Sequence, residues 1–347
     1  MVIEANMGRY VQAPGAVLRL CDDLRGLDSL YVMGGGRALA KALPLLQVPG
    51  LKHLHRELLY QAAPCWKECQ ALAARAKELH AQAVLGVGGG VALDIAKAVA
   101  EQSGLPLFLL PTVAATCSAA TRLIALYDEK GRRSGRLDMT RPIMGVYVDE
   151  TLLADAPRRS LASGIADSLA KLSEAASAKL YRNNPSTPLW EAAISQAEHI
   201  VLQQFSFAQG AMDGDAQALS RVLFSNIFLT AQMTQLGSDR RLGELAHCFY
   251  NALTRLQSDE GVGRLTHLHG EVVGLGVLVE MRLCGEIAGI GEKQLRIFLR
   301  DTLRCPVNLR DLNLKLDKES LQALAEDMAE HAGLPAAWME SGLRAIL

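Results

Sequence analysis

Three consecutive glycines stand where a protein backbone could hold a phosphate group. Gly88, Gly89 and Gly90 follow the apolar run 83–87 and precede a helical pattern in the segment VLGVGGGVALDIAK. Phosphate binding needs close backbone approach, which glycine permits, and N–H donors with a favourable dipole, which a helix N-terminus supplies. Tight strand-to-helix turns also use glycine for packing alone. The run by itself therefore supports a phosphate cradle and a structural turn about equally.

The helical pattern after these glycines carries a charged pair. Asp94 and Lys97 are three positions apart, so both lie on one side of the first helical turns. This spacing fits a polar edge of a cofactor groove, and it equally fits a surface ion pair of little energetic consequence. The pair adds to the nucleotide interpretation without deciding it.

A second glycine run follows another predicted strand. Gly34 to Gly36 are followed directly by Arg37. Sites that prefer NAD usually place an acidic side chain at such a strand end, where it binds the ribose 2′-hydroxyl. Gly34 and Arg37 are therefore candidates for a cofactor site that accepts the 2′-phosphate of NADP. A solvated residue at a helix start is the alternative for Arg37.

Short apolar runs alternate with helical patterns through the N-terminal part of the chain. The runs at 30–33, 83–87, 107–110 and 143–148 predict strands. Strands that alternate with helices are typical of a parallel sheet with helices on its faces. The segment 123–139 has strand-like flanks around a polar centre, and it predicts a hairpin near the sheet edge.

The pattern changes near residues 155–157. Beyond them apolar residues recur at three- and four-residue spacing, which predicts helices. These helices cover residues 160–181, 190–206, 215–236, 243–256, 271–286 and 318–331, with breaks at 183–188, 210–215, 237–241 and 258–263. The sequence thus predicts an α/β domain at 1–157 and an all-helical domain at 158–347. A cleft between two such domains is a favoured ligand site.

Composition excludes several classes of protein. The 347 residues are 50% hydrophobic and 21% charged, with a formal net charge of −1, which is an ordinary globular profile. Since no basic run interleaved with aromatic residues occurs, no nucleic-acid partner is expected. An apolar signal segment and a membrane-spanning stretch are also missing, and the 7 cysteines form an odd, scattered set. These features predict a cytoplasmic protein without a membrane partner.

Several motifs, in this order along the chain, resemble the iron-containing alcohol dehydrogenase superfamily and within it the glycerol dehydrogenase branch. They are GGGVALDIAK (88–97), PTVAATCSAAT (111–121), GIADSLAKLSEA (164–175), AHCFYN (246–251) and HLHGE (267–271). Each motif is modest alone, but together they cover nearly the whole chain. The resemblance implies a dehydroquinate synthase-like fold: an α/β domain with a parallel sheet that binds NAD or NADP, and an all-α domain that holds one zinc or iron ion. It also implies a homo-oligomer.

The resemblance further implies three metal ligands, Asp167, His247 and His269. One carboxylate and two imidazoles suit a catalytic ion, because three protein ligands leave a coordination position open for a substrate oxygen. All three lie on predicted helices or at helix starts, which are rigid supports. His267 competes for the third position. His269 is preferred because it directly precedes the GE of the family's HGE motif.

The same resemblance implies which positions contact the nicotinamide cofactor. They lie in the glycine loop, in the PTVAATCSAAT segment and just beyond it: Gly89, Gly90, Asp94, Thr112, Thr116, Thr121, Leu123 and Tyr127, together with the loop residue Gly88. We therefore expect the dinucleotide to lie along the Gly88 turn.

Two positions depart from the glycerol dehydrogenase pattern and bear on the substrate. Cys117 stands where those enzymes usually carry an aspartate near the substrate hydroxyls, and Tyr250 stands where a second histidine is common. Loss of the carboxylate removes an acceptor for a vicinal diol. Cys117 and the segment DSLAKLSEA look more like relatives that interconvert 2-oxo and 2-hydroxy acids. Lys171 and Arg122 are candidate cations for such a carboxylate, although Lys171 fits a structural pair with a nearby acid equally well.

The expected activity is metal-dependent hydride transfer between NAD or NADP and the CH–OH group of a small alcohol, a polyol or a 2-hydroxy acid. In that mechanism the metal stabilises the alkoxide and the nicotinamide takes the hydride. The proton leaves through the cofactor ribose or through Tyr250. Two alternatives stay open: a dehydroquinate synthase-like lyase, whose doubled histidine is incomplete here, and a relative that binds metal or nucleotide without catalysis.

Overall fold

The computed structural model describes residues 5–60, 65–128, 133–181, 187–236, 245–256, 265–314 and 316–347. The chain divides into two compact units, Met1–Pro157 and Arg158–Leu347. The first unit holds the sheets of the described residues, and the second is helical.

The described part of the first unit contains eight strands and five α-helices. The strands are β1 (Tyr10–Ala13), β2 (Ser29–Gly34), β3 (His53–Leu58), β4 (Ala83–Gly88), β5 (Leu107–Pro111), β6 (Leu123–Tyr127), β7 (Arg133–Asp138) and β8 (Gly145–Asp149). The helices are α1 (Ala16–Asp23), α2 (Gly36–Ala42), α3 (Trp66–Glu78), α4 (Gly90–Ser103) and α5 (Glu150–Ala154), with 3₁₀ turns at Leu43–Leu45 and Ser118–Ala120.

Six of these strands form one parallel sheet in the order β1-β8-β5-β4-β2-β3. The four inner strands, β8, β5, β4 and β2, are buried along their whole length. Inner strands of a parallel sheet are covered on both faces and so consist of continuous apolar runs. They are the four strands that the apolar runs predict, and the predicted α/β architecture is confirmed.

The sequence prediction misses the two edge strands, β1 and β3. β3 has the sequence HLHREL and is partly exposed, and β1 is only 4 residues long. An edge strand has one open side and needs no continuous apolar run, so neither has a clear signal. The predicted hairpin is confirmed, but β6 and β7 form a separate antiparallel sheet and do not extend the main one. The central residues of the hairpin, 129–132, lie outside the described part of the chain.

The second unit, where the structure describes it, is built from nine α-helices. They are α6 (Arg158–Tyr181), α7 (Pro188–Asp213), α8 (Ala216–Leu223), α9 (Thr230–Leu236), α10 (Leu245–Leu256), α11 (His269–Cys284), α12 (Glu292–Ile297), α13 (Lys318–Ala332) and α14 (Ala336–Leu343). π-helical turns lie at Phe224–Leu229 and Phe298–Thr302, and a 3₁₀ turn lies at Leu309–Leu312. Within the described residues, none of the helices has both the length and the apolar character needed to span a bilayer.

The predicted helices are confirmed in outline. The single helix predicted at 215–236 is in fact two, α8 and α9, joined by a π-helical turn. The prediction misses α12 and α14 because they are 6 and 8 residues long, too short for a clear helical periodicity. The predicted breaks at 237–241 and 258–263, most of the break at 183–188, and the first residues of the helix predicted at 243–256 lie outside the described residues.

Two glycines let α11 approach the helices beside it. A Cβ added at Gly270 would lie 1.9 Å from the backbone oxygen of Ser163 in α6. One added at Gly276 would lie 2.6 Å from the backbone oxygen of Ala246 in α10. Because only glycine allows backbones to come this close, these two positions hold α11 against α6 and α10. Those are the helices that carry the other predicted metal ligands.

Candidate metal centre and nucleotide loop

Asp167, His247 and His269 converge in the helical unit, each from a different helix. Asp167 lies in α6, His247 lies in α10, and His269 is the first residue of α11. Their ligand atoms all lie within 4.8 Å of one another. Asp167 Oδ1 is 3.3 Å from His269 Nε2 and 3.5 Å from His247 Nε2. A carboxylate oxygen thus faces two imidazole nitrogens, which is a donor set that suits a divalent ion.

The buried Asp167 carboxylate fits a cation. Asp167 is 5% exposed, and its Oδ1 has no hydrogen-bond partner among the described residues. Burial raises the pKa of this carboxyl, but the His247 and His269 imidazoles outweigh burial and hold the pKa well below its usual range. The group is therefore ionised. A buried anionic oxygen without a hydrogen bond is costly unless a cation pairs with it, so the three residues fit a bound metal ion.

The other nitrogen of His247 contacts a fully buried glutamate. His247 Nδ1 forms a short hydrogen bond with Glu174 Oε1, and Lys171 Nζ donates to Glu174 Oε2 at 3.1 Å. Burial lowers the pKa of the His247 imidazole, but the Glu174 and Asp167 carboxylates raise it to about 9. In the metal-free protein this imidazole is therefore protonated at neutral pH, and a metal ion has to displace a proton from it.

A second buried glutamate, Glu280 in α11, lies near Glu174. Burial and the negative charge of Glu174 raise the pKa of Glu280 to about 8. Glu280 Oε2 is 2.5 Å from Ser173 Oγ, and its Oε1 has no hydrogen-bond partner within the described chain. Glu280 is therefore a neutral acid at neutral pH, and Glu174 is the anion of the two.

The two histidines of the HLHGE motif have different surroundings. His269 belongs to the ligand cluster, and the ring of Tyr250 meets its ring edge-on with centroids 4.3 Å apart. His267 instead lines a cavity that Arg159 and Arg304 also line. Of the two candidates for the third ligand, His269 is the one that joins Asp167.

The glycine loop of the first unit lies at the carboxyl ends of neighbouring strands. Gly34 ends β2, and Gly88 ends β4 beside Pro111, the last residue of β5. Gly88 has a φ of 149°, which side chains rarely adopt, and α4 begins at Gly90 without a side-chain cap. The strand order changes direction between β2 and β4. Open parallel sheets bind ligands at such a switch point, outside the carboxyl ends of the strands.

The segment after β5 lies against this loop. Thr112 N–H donates to Gly88 O at 2.9 Å. A Cβ added at Gly90 would lie 3.2 Å from Thr116 Oγ1. Two of the predicted cofactor positions, Thr112 and Thr116, are thus next to the glycine turn.

Asp94 and Lys97 form a buried pair, so the interpretation as a surface ion pair is wrong. The fully buried Lys97 donates through Nζ to Asp94 Oδ1 at 2.8 Å, to Ser118 Oγ at 3.0 Å and to Leu123 O at 2.9 Å. The N–H of Ala125 donates to Asp94 Oδ2 at 3.2 Å. The two side chains thus join α4 to the Ser118 turn and to β6. A contact between Asp94 and the cofactor stays a prediction.

The remaining candidate positions also stay predictions. Arg37 is exposed in the first turn of α2, Thr121 is buried, Leu123 and Tyr127 are half-buried in β6, and Cys117 and Arg122 are half-buried beside the 3₁₀ turn at Ser118–Ala120. Lys171 pairs with Glu174. Of the two roles considered for Lys171, a cation for a substrate carboxylate and a structural pair with a nearby acid, this contact corresponds to the second.

The sequence does not identify Glu174 as the partner of His247. Asp167, Lys171 and Glu174 are four and three positions apart, so they share one face of α6. This spacing is the sequence feature that indicates that Glu174 lies on the same side of the helix as the predicted ligand Asp167. The spacing does not reveal which helix lies opposite, because His247 is 73 positions away in the chain.

Comparison with known proteins agrees with this fold and identifies relatives of the chain. A family model described as iron-containing alcohol dehydrogenase matches residues 8–144. A glycerol dehydrogenase of Pseudomonas putida is 31% identical over 334 residues, which cover 92% of this chain and 87% of the relative. Hydroxycarboxylate dehydrogenase A of Escherichia coli (strain K12) is 33% identical over 291 residues, which cover 80% and 76%. The crystal structure of a probable glycerol dehydrogenase from Sinorhizobium meliloti 1021 has a TM-score of 0.81 at 22% identity, covering 99% of this chain and 98% of that one.

The chain belongs to the iron-containing alcohol dehydrogenase superfamily, in its glycerol dehydrogenase-like branch. It is a metal-dependent alcohol oxidoreductase, as the sequence predicts. Its relatives are named as dehydrogenases or reductases, so the lyase and the catalytically silent relative are not favoured. The predicted fold class is confirmed.

Proposed function

We propose that the chain transfers a hydride between a nicotinamide cofactor and the CH–OH group of a small alcohol, polyol or 2-hydroxy acid, with one divalent ion held by Asp167, His247 and His269. The observation that carries the proposal is the buried Asp167 Oδ1, which has no hydrogen bond among the described residues and faces imidazole nitrogens at 3.3 and 3.5 Å. Nitrogen and oxygen donors of this kind suit zinc or iron.

Each residue of the centre has a separate task. An ion bound there supplies Lewis-acid polarisation of the substrate oxygen. Asp167 contributes the single negative charge of the ligand set and the imidazoles contribute none, so the set leaves one positive charge of a divalent ion uncompensated. Three ligands leave space for the substrate oxygen. Tyr250, edge-on to His269, is the side chain that we propose for relaying the substrate proton, its hydroxyl passing its own proton to water as it accepts that of the substrate, with the cofactor ribose as the alternative.

We propose the Gly88–Gly90 turn as the cradle of the cofactor pyrophosphate. The uncapped start of α4, the φ of 149° at Gly88 and the position of the turn at the switch point of the sheet support it. No acidic side chain ends β2, where Gly34 stands and the exposed Arg37 follows in α2. We therefore propose that the chain accepts NADP as well as NAD.

Polyols and 2-hydroxy acids are the two substrate classes that we retain. Relatives are named for each: the glycerol dehydrogenase of Pseudomonas putida and hydroxycarboxylate dehydrogenase A of Escherichia coli. Cys117 provides no carboxylate for a vicinal diol, which favours the acids. The pairing of Lys171 with Glu174 leaves Arg122 as the proposed cation for a substrate carboxylate.

We also propose a cytoplasmic homo-oligomer that acts on small molecules and binds neither nucleic acid nor membranes. The seven cysteines all lie in the described residues and form no disulfide, and the formal net charge is −1. Both features suit a reducing compartment and the absence of a polyanionic partner. Size-exclusion chromatography with light scattering tests the assembly.

An absorbance assay of the reduced nicotinamide tests the activity. Metal-free protein, resupplied with zinc, iron or manganese, is mixed with NAD or NADP and a panel of small alcohols, diols, 2-hydroxy acids and 2-oxo acids. We expect turnover only when metal is restored. If metal-loaded protein gives no net nicotinamide oxidation or reduction with any substrate, the proposal fails. A lyase would behave in that way, since it regenerates its cofactor.

A further inference from the structure

The two ring nitrogens of His247 have different partners. Nδ1 is hydrogen-bonded to Glu174 Oε1, whereas Nε2 faces Asp167 Oδ1 at 3.5 Å. An ionised carboxylate can only accept, so the proton of the first contact lies on Nδ1. In a neutral imidazole the other nitrogen then carries a lone pair. Glu174 therefore selects the tautomer whose Nε2 can bind a cation beside Asp167.

Glu174 is held in place by Lys171 from the same helix. Lys171 Nζ lies 3.1 Å from Glu174 Oε2, and the two side chains are 11% and 0% exposed. The Lys171 ammonium donates to the buried Glu174 carboxyl, so Glu174 faces His247 as the carboxylate of an ion pair. Each of its oxygens has one partner. One oxygen contacts the predicted metal ligand, and the other contacts the lysine one helical turn away.

We propose that Glu174 is a positioning residue of the metal centre, whose carboxylate, anchored by Lys171, fixes the ring orientation of His247 and keeps a proton on Nδ1, so that Nε2 is the nitrogen that gives up its proton to bind an ion. The inference rests on the proposed function, because it requires an ion at Asp167, His247 and His269. Histidines that bind metals commonly donate their second nitrogen to a carboxylate or carbonyl, and loss of such a partner weakens metal affinity by about 10–100-fold.

Glu280 offers a matched control on the neighbouring helix. It is fully buried, as Glu174 is, but its hydrogen bond is to Ser173. Ser173 Oγ lies 2.5 Å from Glu280 Oε2 and 3.1 Å from Ala170 O. A hydroxyl has one proton and cannot donate to both oxygens. A protonated Glu280 can donate to Ser173, which resolves the conflict. Glutamine keeps this donor and the neutral charge, so Glu280→Gln changes the buried polar network without touching His247.

Metal affinity of the full-length, metal-free protein tests the proposal. Zn²⁺ is titrated by calorimetry with a competing chelator, and the d–d absorption spectrum of bound Co²⁺ reports the ligand geometry. The proteins compared are the wild type, Glu174→Gln, the double variant Lys171→Met/Glu174→Gln, and Glu280→Gln. The double variant removes both charges of the ion pair, so no buried lysine is left facing a neutral side chain in place of Glu174. Thermal unfolding of each metal-free protein reports folding separately.

We expect Glu174→Gln and the double variant to bind Zn²⁺ about 10–100-fold more weakly than the wild type and to change the Co²⁺ spectrum. Glu280→Gln should bind both ions as the wild type does. The double variant decides the question if Glu174→Gln does not fold. Wild-type affinity in the double variant overturns the positioning role, and so does equal weakening by Glu280→Gln. A wild-type protein that binds no Zn²⁺ overturns the proposed metal centre, and with it this inference. A wild-type protein that binds Zn²⁺ but is matched by the double variant overturns the positioning role alone.

Discussion

Gly270 lies against the backbone of Ser163 so closely that no larger residue fits. A Cβ at Gly270 would come within 1.9 Å of Ser163 O, and the Gly270 N–H donates to Ser163 Oγ at 3.1 Å. Ser163 is one helical turn before Asp167, and Gly270 directly follows His269. The distance between these two proposed ligands therefore depends on a residue that has no side chain.

Gly270→Ala should displace the start of α11 and separate His269 from Asp167. Overpacking of this kind costs about 1–3 kcal/mol and occasionally more, and backbone atoms cannot give way as a flexible side chain can. We expect the free energy of unfolding to fall by at least about 2 kcal/mol, with a loss of metal affinity, both measured by urea titration and calorimetry. Gly291→Ala is the control, since its Cβ would meet nothing closer than 3.5 Å. Equal small effects of both changes would contradict the prediction.

His269→Ala should abolish turnover and weaken metal binding by more than about a hundredfold. Nucleotide affinity, measured by fluorescence titration, should stay close to that of the wild type, because the glycine loop belongs to the other unit. His267→Ala removes the neighbouring histidine that lies outside the cluster, and it should keep both the metal and the activity. Parallel loss of metal and nucleotide binding in His269→Ala would indicate a folding role instead.

Metal binding should release a proton. Burial lowers the pKa of His247, but Glu174 and Asp167 raise it to about 9, so the metal-free imidazole is protonated below that pH. The ion binds the neutral ring, and the apparent affinity should therefore rise by about one logarithmic unit per pH unit as pH increases towards about 9. Calorimetry in buffers of different ionisation enthalpy measures the protons released. Release of none near neutral pH would show that His247 is not protonated.

Glu280→Gln should stabilise the metal-free protein, and more strongly as pH rises. Burial and the charge of Glu174 raise the pKa of Glu280 from 4.5 to about 8. Between these values the unfolded chain loses a proton that the folded chain keeps. Wild-type stability then falls by up to about 1.4 kcal/mol per pH unit through this group, whereas below the lower value nothing is lost. The variant lacks this slope. Urea unfolding at about pH 5 and about pH 7 measures the difference, and parallel changes in both proteins would contradict it.

Cys117→Asp should shift activity towards vicinal diols. The substitution adds a carboxylate acceptor for substrate hydroxyls, and a hydrogen bond to a charged group contributes about 1.5–3 kcal/mol. We expect kcat/KM for glycerol or 1,2-propanediol to rise by about tenfold or more. Cys117→Ser controls for the loss of the thiol without adding charge. If the aspartate variant gains nothing on diols, Cys117 does not line the substrate pocket.

The inner strands and the long helices follow from the sequence because burial leaves a periodic signal. β4 and β5 are continuous apolar runs, and α6 and α11 repeat apolar residues at helical spacing. The edge strand β3 lacks such a run because one of its sides is open. The π-helical turn between α8 and α9 is also invisible, since the hydrophobic pattern continues through it.

The family motifs indicate residues that the structure brings together, whereas contacts between distant parts of the chain have no signal in the local sequence. The structure brings Asp167, His247 and His269 together, and these are the residues that the family motifs indicate. The hydrogen bond between His247 and Glu174 depends on how α10 packs on α6, which local spacing does not encode. Local spacing does not predict the burial of Lys97 either, because a lysine three residues from an aspartate usually forms a solvated pair on a helix surface.

The hydrogen bonds of the buried Lys97 affect the rigidity of the surface beside the glycine turn of the first unit. Its ammonium binds Asp94, Ser118 and the carbonyl of Leu123, so the turn beside Thr116 is fastened to α4 from within. The wall next to the glycine turn is thereby rigid in the free protein. A nucleotide bound at the turn, as we propose, would meet a preformed surface, and its association should proceed without a slow ordering step and with little loss of conformational entropy in the protein.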